Sequence, residues 1–429
     1  MITAIVLAGM LVLLALGTPV AFSMLIAGTV GLLMHGGLPM ALGILNTSAA
    51  SAASSYELIS VPMFMLMAEF VIVSGVADSL FKSASTWVGR FPGGLGIATT
   101  LAGAGFAAIS GSSTASAATL SSTTVPAMLK QGYEPKMACG VVAISGTLAM
   151  LIPPSIALVL YGIVANVSIG KLLIGGIIPG IAVTFVIILT VLFLVWQDPS
   201  RAPSAGSFTW REKLATLPLI GPMILLFALV TGLIYTGVAT PTEAAALGAF
   251  GAMVLALHSG HLNRTALTKC LVRASQSTCM ILMIIFGAHV FGYYLTLAQV
   301  TQSIVAWVGA LPIPAVGIIT LIIFGLIILG CLMDQAAIII LTVPVLLPVV
   351  KAIGYDPVWF GVLLIVVAEV GLVTPPVGLN VFVVARYTGR PLAEVFAGIT
   401  PHVIAHLIFI ALMVMFPQIV LWLPSTMTR

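Results

Sequence analysis

Leu151-Ile152-Pro153-Pro154-Ser155 and Val373-Thr374-Pro375-Pro376-Val377 occupy matching places in the two halves of a 429-residue chain, each inside a long apolar run. Eighteen residues before the first proline of each pair stands the proline of a Gly-Tyr-acid-Pro turn, Gly132-Tyr133-Glu134-Pro135 or Gly354-Tyr355-Asp356-Pro357. Pro179 and Pro401 each follow the second proline of their pair by 25 residues. Upstream, Thr124-Val125-Pro126 answers Thr342-Val343-Pro344, with a four-residue insertion, about one helical turn, before the turn of the second copy. A duplicated apolar unit interrupted at the same place in each copy is the pattern of a secondary transporter, whose ligands bind where the helices are broken.

Composition decides the solvent. The chain is 61% hydrophobic and 6% charged, against about 25% charged in an ordinary soluble domain, so its surface must face lipid. The relevant unit is then a span of about 20 apolar residues. Cys139, Cys270, Cys279 and Cys331 are scattered in apolar stretches without CxxC spacing, so neither a disulfide framework nor a metal site is indicated. Residues 1 to 16 lack a basic leader and are read as a retained first helix.

Apolar stretches run near 2–16, 18–35, 57–80, 93–129, 137–168, 172–196, 216–236, 241–258, 274–297, 313–350, 357–385 and 392–423. The stretch 93–129 is interrupted at Ser110-Gly111-Ser112-Ser113-Thr114 and flanked by Arg90 and Lys130. It reads as a re-entrant hairpin with both ends cytoplasmic, and 313–350, with a tip near Gly330-Cys331-Leu332-Met333-Asp334, reads as its counterpart. An odd number of spans between the hairpins makes the two halves an inverted repeat. The cytoplasmic side then receives Lys82, Arg90, Lys130, Lys136, Arg201, Arg211, Lys213, Arg264, Lys269, Arg273, Arg386 and Arg390, leaving Lys171, Lys351 and Arg429 outside. That bias makes the net charge of +4 a topology signal and not a nucleic-acid footprint.

The expected fold is an all-α polytopic membrane protein built as an inverted repeat, with two re-entrant hairpins and two Pro-Pro-broken helices. Residues 1–196 form the first repeat, 197–215 a cytoplasmic linker and 216–429 the second repeat; the broken helices cover about 137–168 and 357–385. Both termini are expected to face the periplasm.

Prolines lack N–H donors, so carbonyls upstream of each pair lose helical partners and become ligands for a cation. Gly111, Gly146, Gly330, Gly371 and Gly378 permit close backbone approach, while Ser112, Ser113, Ser145, Thr147 and Thr374 add hydroxyls. Hydroxyls in membrane helices also serve helix packing, and the glycine run from Gly89 to Gly105 is assigned to that role. His402 and His406 share a helix face, where an interfacial role outweighs a metal site. Buried acids are expensive in lipid, which singles out Glu69, Asp334 and Glu369; Asp334 and Glu369 would assist cation binding or titrate. Glu243, in Thr240-Pro241-Thr242-Glu243-Ala244-Ala245, is read instead as a helix start.

Taken together, Ser110-Gly111-Ser112-Ser113, Gly132-Tyr133-Glu134-Pro135, Ile152-Pro153-Pro154-Ser155, Thr240-Pro241-Thr242-Glu243-Ala244-Ala245 and Thr374-Pro375-Pro376-Val377-Gly378-Leu379-Asn380 resemble the large membrane subunit of TRAP transporters, the tripartite ATP-independent periplasmic systems. The resemblance spans almost the whole chain. It implies a sodium-coupled importer of a small organic anion, carboxylate or sulfonate, in the bacterial inner membrane. It also implies an elevator movement, a small TRAP membrane subunit and a periplasmic substrate-binding protein as partners, membrane lipid around the chain, no nucleic acid, Na+ as coupling ion and no organic cofactor. By motif, one sodium site would lie among Ser110, Ser112, Ser145, Gly146, Leu151 and Pro153. A second would lie among Gly330, Asp334, Gly371, Thr374 and Val377. Substrate would sit between the tips at Ser112, Ser113, Pro154, Ser155 and Asn380. Glu369 departs from the polar amide that the resemblance implies before the second Pro pair.

The runner-up is a stand-alone ion-coupled anion carrier, separated from the first reading by whether uptake needs a binding protein. A membrane enzyme is disfavoured because the sequence holds no HExxH, GxSxG or paired intramembrane aspartates. Two broken helices argue against a scaffold or channel subunit.

Overall fold

The computed structural model describes residues 2–204, 206 and 208–427; Arg429, one of the three basic residues expected outside, and the two chain ends lie outside them. Every regular element among the described residues is helical, the form in which a chain in lipid satisfies its own backbone. The first half contains α1 (Ile2–Ala15), α2 (Val20–Ser54), α3 (Ser60–Val73), α4 (Val76–Val88), α5 (Gly94–Ser110), α6 (Ser113–Thr123), α7 (Val125–Lys130), α8 (Pro135–Thr147), α9 (Ile156–Ala165) and α10 (Ile169–Gln197). The second contains α11 (Trp210–Tyr235), α12 (Pro241–His258), α13 (Arg264–Leu297), α14 (Val300–Gly309), α15 (Ala315–Gly330), α16 (Gln335–Ala352), α17 (Pro357–Gly371), α18 (Leu379–Thr388), α19 (Leu392–Met415) and α20 (Gln418–Ser425). Seven helical segments among the described residues are long and apolar enough to cross a membrane.

The interruptions fall where the sequence places them. Helices α5 and α6 are the arms of the first hairpin, α15 and α16 those of the second; α8/α9 and α17/α18 are the broken helices. Several boundaries differ from the apolar runs. The run 57–80 is two helices, because Gly75 turns left-handed (φ 75°) between α3 and α4. The segment α2 is two helical stretches joined by a kink at Gly37, whose backbone is not helical (φ 72°, ψ −175°), with Pro39 just beyond. Helix α13 begins at Arg264, ten residues before its apolar run, where Asn263 Oδ1 accepts the Ala266 N–H at 2.8 Å; hydropathy does not register a polar, capped first turn. Glu243 does start a helix: Thr240 Oγ1 accepts its N–H at 3.3 Å and its carboxylate accepts the Thr240 N–H at 2.8 Å, a capping box.

The halves interlock by exchange. Helix α2 packs along α13, and α12 along α3, so the helix three places before each hairpin lies against the helix that precedes the other hairpin's short connector. The hairpins repeat the exchange: α6 packs on α18, and α16 on α9. Lipid offers little hydrophobic gradient between helices, so close approach through small residues must hold them. A Cβ on Gly28 would lie 2.9 Å from the Phe291 backbone, and one on Gly287 would collide with the Ala21 carbonyl. Gly140 and Gly398 likewise bring α8 and α19 into backbone contact.

The linker is fastened to the open end of the first hairpin. Gly93 N–H donates to Ala202 O (3.0 Å), Glu134 N–H to Arg201 O (2.8 Å) and Gln131 Nε2 to Ser204 O (3.0 Å). Arg201 also pairs with Glu134 (3.6 Å) and Asp198 (3.4 Å).

Candidate functional site

Each proline pair strips the donors from the carbonyls four residues upstream, and the structure shows where two of those carbonyls go. Met150 O, which Pro154 cannot serve, accepts the Ser155 hydroxyl. Leu372 O, which Pro376 cannot serve, accepts the Asn380 N–H at 3.2 Å. In both copies a group beyond the break reaches back across it. Gly371 O is also taken, by the Thr374 N–H at 3.0 Å. The sequence expectation of unpaired carbonyls is therefore met less fully than proline chemistry alone suggests, although each carbonyl keeps a second lone pair. Both Pro-Pro peptide bonds are cis.

The first tip meets the first break directly. Gly111 ends α5 in the left-handed region (φ 56°), and a Cβ there would stand 2.8 Å from the Ile156 side chain, immediately after Ser155. Gly146 faces Ala117 of α6, where a Cβ would come within 2.9 Å of the Ala117 backbone. Ser112 caps α6 by accepting the Ala115 N–H at 3.4 Å, and Ser110 shares a 2.6 Å hydroxyl contact with Ser116. Ser145 donates to Thr100 Oγ1 at 3.3 Å. Leu151, Pro153, Pro154 and Ser155 are buried, and Leu151 O faces Gly176 of α10. Ser155 spends its hydroxyl locally, donating to Met150 O and accepting the Leu158 N–H at 3.2 Å.

The second tip meets the second break in the same way. A Cβ on Gly330 would lie 2.8 Å from Gly371 Cα, so the last turn of α15 touches the last turn of α17. Asp334 stands exposed at the N-cap of α16 with extended backbone (φ −73°, ψ 161°). Thr374 donates to Val370 O at 2.5 Å. Gly378 (φ 60°) opens α18 from the left-handed region, 3.3 Å from Thr374 O as measured from its would-be Cβ, and Val377 is half-buried beside it. Pro375 and Pro376 are exposed, unlike Pro153 and Pro154.

Asn380 joins the first tip to the second broken helix. Asn380 of α18 is fully buried, and its Nδ2 donates to Ser113 Oγ at 2.6 Å and to Ala143 O of α8 at 3.4 Å. Its Oδ1 has no hydrogen-bond partner among the described residues. Gln335, at the start of α16, donates from Nε2 to Ile365 O of α17 at 3.4 Å and likewise leaves its Oε1 unpartnered. Both carboxylate oxygens of Glu369 are buried and have no hydrogen-bond partner among the described residues.

Sequence reasoning did not single out Gln335, Thr100 or the Ala143 carbonyl. Gln335 follows the tip aspartate, a polar residue opening an otherwise apolar helix, and that is the signal that could have found it. His402 and His406 are buried, linked only by His406 Nδ1 to His402 O at 2.9 Å, and no group of His, Cys, Asp or Glu suited to a metal occurs among the described residues.

This arrangement of two hairpin tips against two broken helices coincides with a match to the family described as "Tripartite ATP-independent periplasmic transporter, DctM component", over residues 7–419. The chain belongs to that family. The C4-dicarboxylate TRAP transporter large permease protein DctM of Pseudomonas aeruginosa is 36% identical over 371 residues, 86% of each chain. The isethionate TRAP transporter permease protein DctMQ of Oleidesulfovibrio alaskensis is 32% identical over 90% of this chain, which spans 61% of that protein. Among solved structures, the Alcanivorax borkumensis YdaH transporter superposes with a TM-score of 0.64 at 16% identity, over 88% of both chains, a likeness of fold alone. As a DctM component the chain is a multi-pass transporter permease subunit and not an enzyme.

Proposed function

We propose that this DctM component is the large subunit of a sodium-coupled transporter in the bacterial inner membrane. It imports a small organic anion, carboxylate or sulfonate, delivered by a periplasmic substrate-binding protein and with a small membrane subunit alongside. The carrying observation is Asn380: a buried amide of the second repeat that donates to the tip and the broken helix of the first. Both repeats thus contribute to one polar centre inside an apolar protein. Ser112, Ser113 and Pro154 line the substrate side of that centre, with Ser155 bracing the break.

The acceptors left over favour a hard cation. Asn380 Oδ1, Gln335 Oε1 and the Glu369 carboxylate are buried oxygens without donors, and oxygen donor sets suit hard ions. Around the first break, Ser110, Ser112, Ser145, Gly146, Leu151 and Pro153 would hold one ion; around the second, Gly330, Asp334, Gly371, Thr374 and Val377 would hold another. Bound sodium would supply the positive charge that these oxygens and an anionic substrate lack. The hairpins and broken helices form the moving body, and α1–α3 with α11–α13 the frame against which it travels. The relatives named for a dicarboxylate and for isethionate support a small anionic substrate.

Thermal unfolding of the purified protein in sodium against choline at equal ionic strength tests the ion. A ligand specific to the folded state adds RT ln(1 + [L]/Kd), about 1.4 kcal/mol at roughly ten times Kd. A sodium-specific rise in midpoint is expected; equal midpoints would shift the assignment to a proton or to sites completed by partner and substrate. Uptake without the binding protein would favour a stand-alone carrier.

A further inference from the structure

Helix α13 is longer than a membrane span. Its 34 residues rise to about 51 Å, against a hydrocarbon core of about 30 Å, so roughly 14 residues must stand in the headgroup region. Its apolar run is 274–297, which leaves the first turns, from Arg264 to Arg273, at the membrane surface. Those turns expose Arg264, Lys269 and Arg273, while Cys270 and Ala274 are buried.

A shallow, open depression runs along this one helix, lined by Arg264, Thr268, Lys269, Val272 and Arg273. A cleft shares Lys269 and Arg273 and runs inward between α13 and α3 to Glu69 and Val73. Glu69 answers one of the cations, lying 3.7 Å from Arg273. Arg264 and Lys269 have no ion-pair partner among the described residues. Leu271 and Val272, between Lys269 and Arg273, and Met280, two turns on, are exposed and apolar. Uncompensated cations beside exposed apolar side chains at headgroup depth are complementary to a phosphate with acyl chains attached. Arginine grips phosphate oxygens with paired donors and lysine adds a point charge.

We propose that Lys269 and Arg273, at the mouth of the cleft between α13 and α3, together with Arg264 at the start of α13, bind the headgroup of an anionic phospholipid. The lipid packs against the static frame, away from both tips, and needs neither sodium nor substrate.

Native mass spectrometry of the full chain, titrated with phosphatidylglycerol or phosphatidylcholine of identical acyl chains, reads the site. Phosphatidylglycerol should bind the unaltered protein at least about tenfold more tightly. The double variant Arg264→Gln/Lys269→Gln, which spares the Arg273–Glu69 pair, should lose most of that preference, whereas Lys82→Gln/Arg211→Gln should keep it. Equal binding of the two lipids by the unaltered protein would overturn the proposal whatever the variants do. An undiminished preference in the first double variant would overturn it too. Displacement of phosphatidylglycerol by equimolar inorganic phosphate would also overturn it, marking a site for a free anion.

Discussion

Asn380 carries a donor and an acceptor in one buried side chain, and among the described residues only the donor is used. Replacing it with alanine strands Ser113 Oγ and Ala143 O without their donor, a loss of about 1–3 kcal/mol. Asn380→Ala is expected to lower the unfolding midpoint by that equivalent and to reduce uptake further than the folded fraction explains. Uptake that merely tracks folded protein would confine Asn380 to a structural role. Thr374 offers a different test, because its hydroxyl donates to Val370 O and keeps its lone pairs for another partner. Thr374→Ala should raise the sodium concentration for half-maximal uptake about fivefold, the equivalent of roughly 1 kcal/mol. An unchanged sodium dependence would remove that hydroxyl, though not the carbonyl, from the ligand set.

Between elements, the sensitive contact is Gly330 against Gly371. A Cβ on Gly371 would run into the Gly330 backbone, and backbone has no rotamer with which to give way. Gly371→Ala should therefore destabilise by about 1–3 kcal/mol, seen in thermal unfolding, and Gly330→Ala should do the same. The double variant should fall short of the sum, since one displacement of α15 from α17 relieves both. Full additivity would mean that the two glycines are not in contact. The family resemblance implied this pairing of tip with break. It did not foretell that Met150 O and Leu372 O are reclaimed across the breaks, since that depends on how far each chain turns after its prolines.

Across the whole molecule, the proposed elevator movement requires the hairpins to slide past the frame and its connectors. Gly105 of α5 lies against Leu80 of α4, where a Cβ would approach Leu80 Cδ2 to 3.1 Å. With the four native cysteines replaced by serine, Gly105→Cys together with Leu80→Cys and a short bifunctional maleimide should tie the moving body to its connector. Uptake in proteoliposomes should fall to background on cross-linking, while either single variant treated alike keeps its activity. Continued uptake by fully cross-linked protein would refute the sliding movement for this hairpin.

Composition, the two proline pairs and their equal spacings decided that the chain lies in lipid, that it is duplicated and where its helices break, because each depends on local chemistry. Glu243 as a helix start was equally local. The exchange of α2 with α13, α3 with α12, α6 with α18 and α16 with α9 came only from the tertiary structure, as did the seat of Asn380 and the fastening of the linker. In lipid, every apolar face has an acceptable neighbour, so hydropathy does not rank one helix partner above another. Close backbone contact at small residues and single buried hydrogen bonds make that choice, and both exist only once distant segments have met.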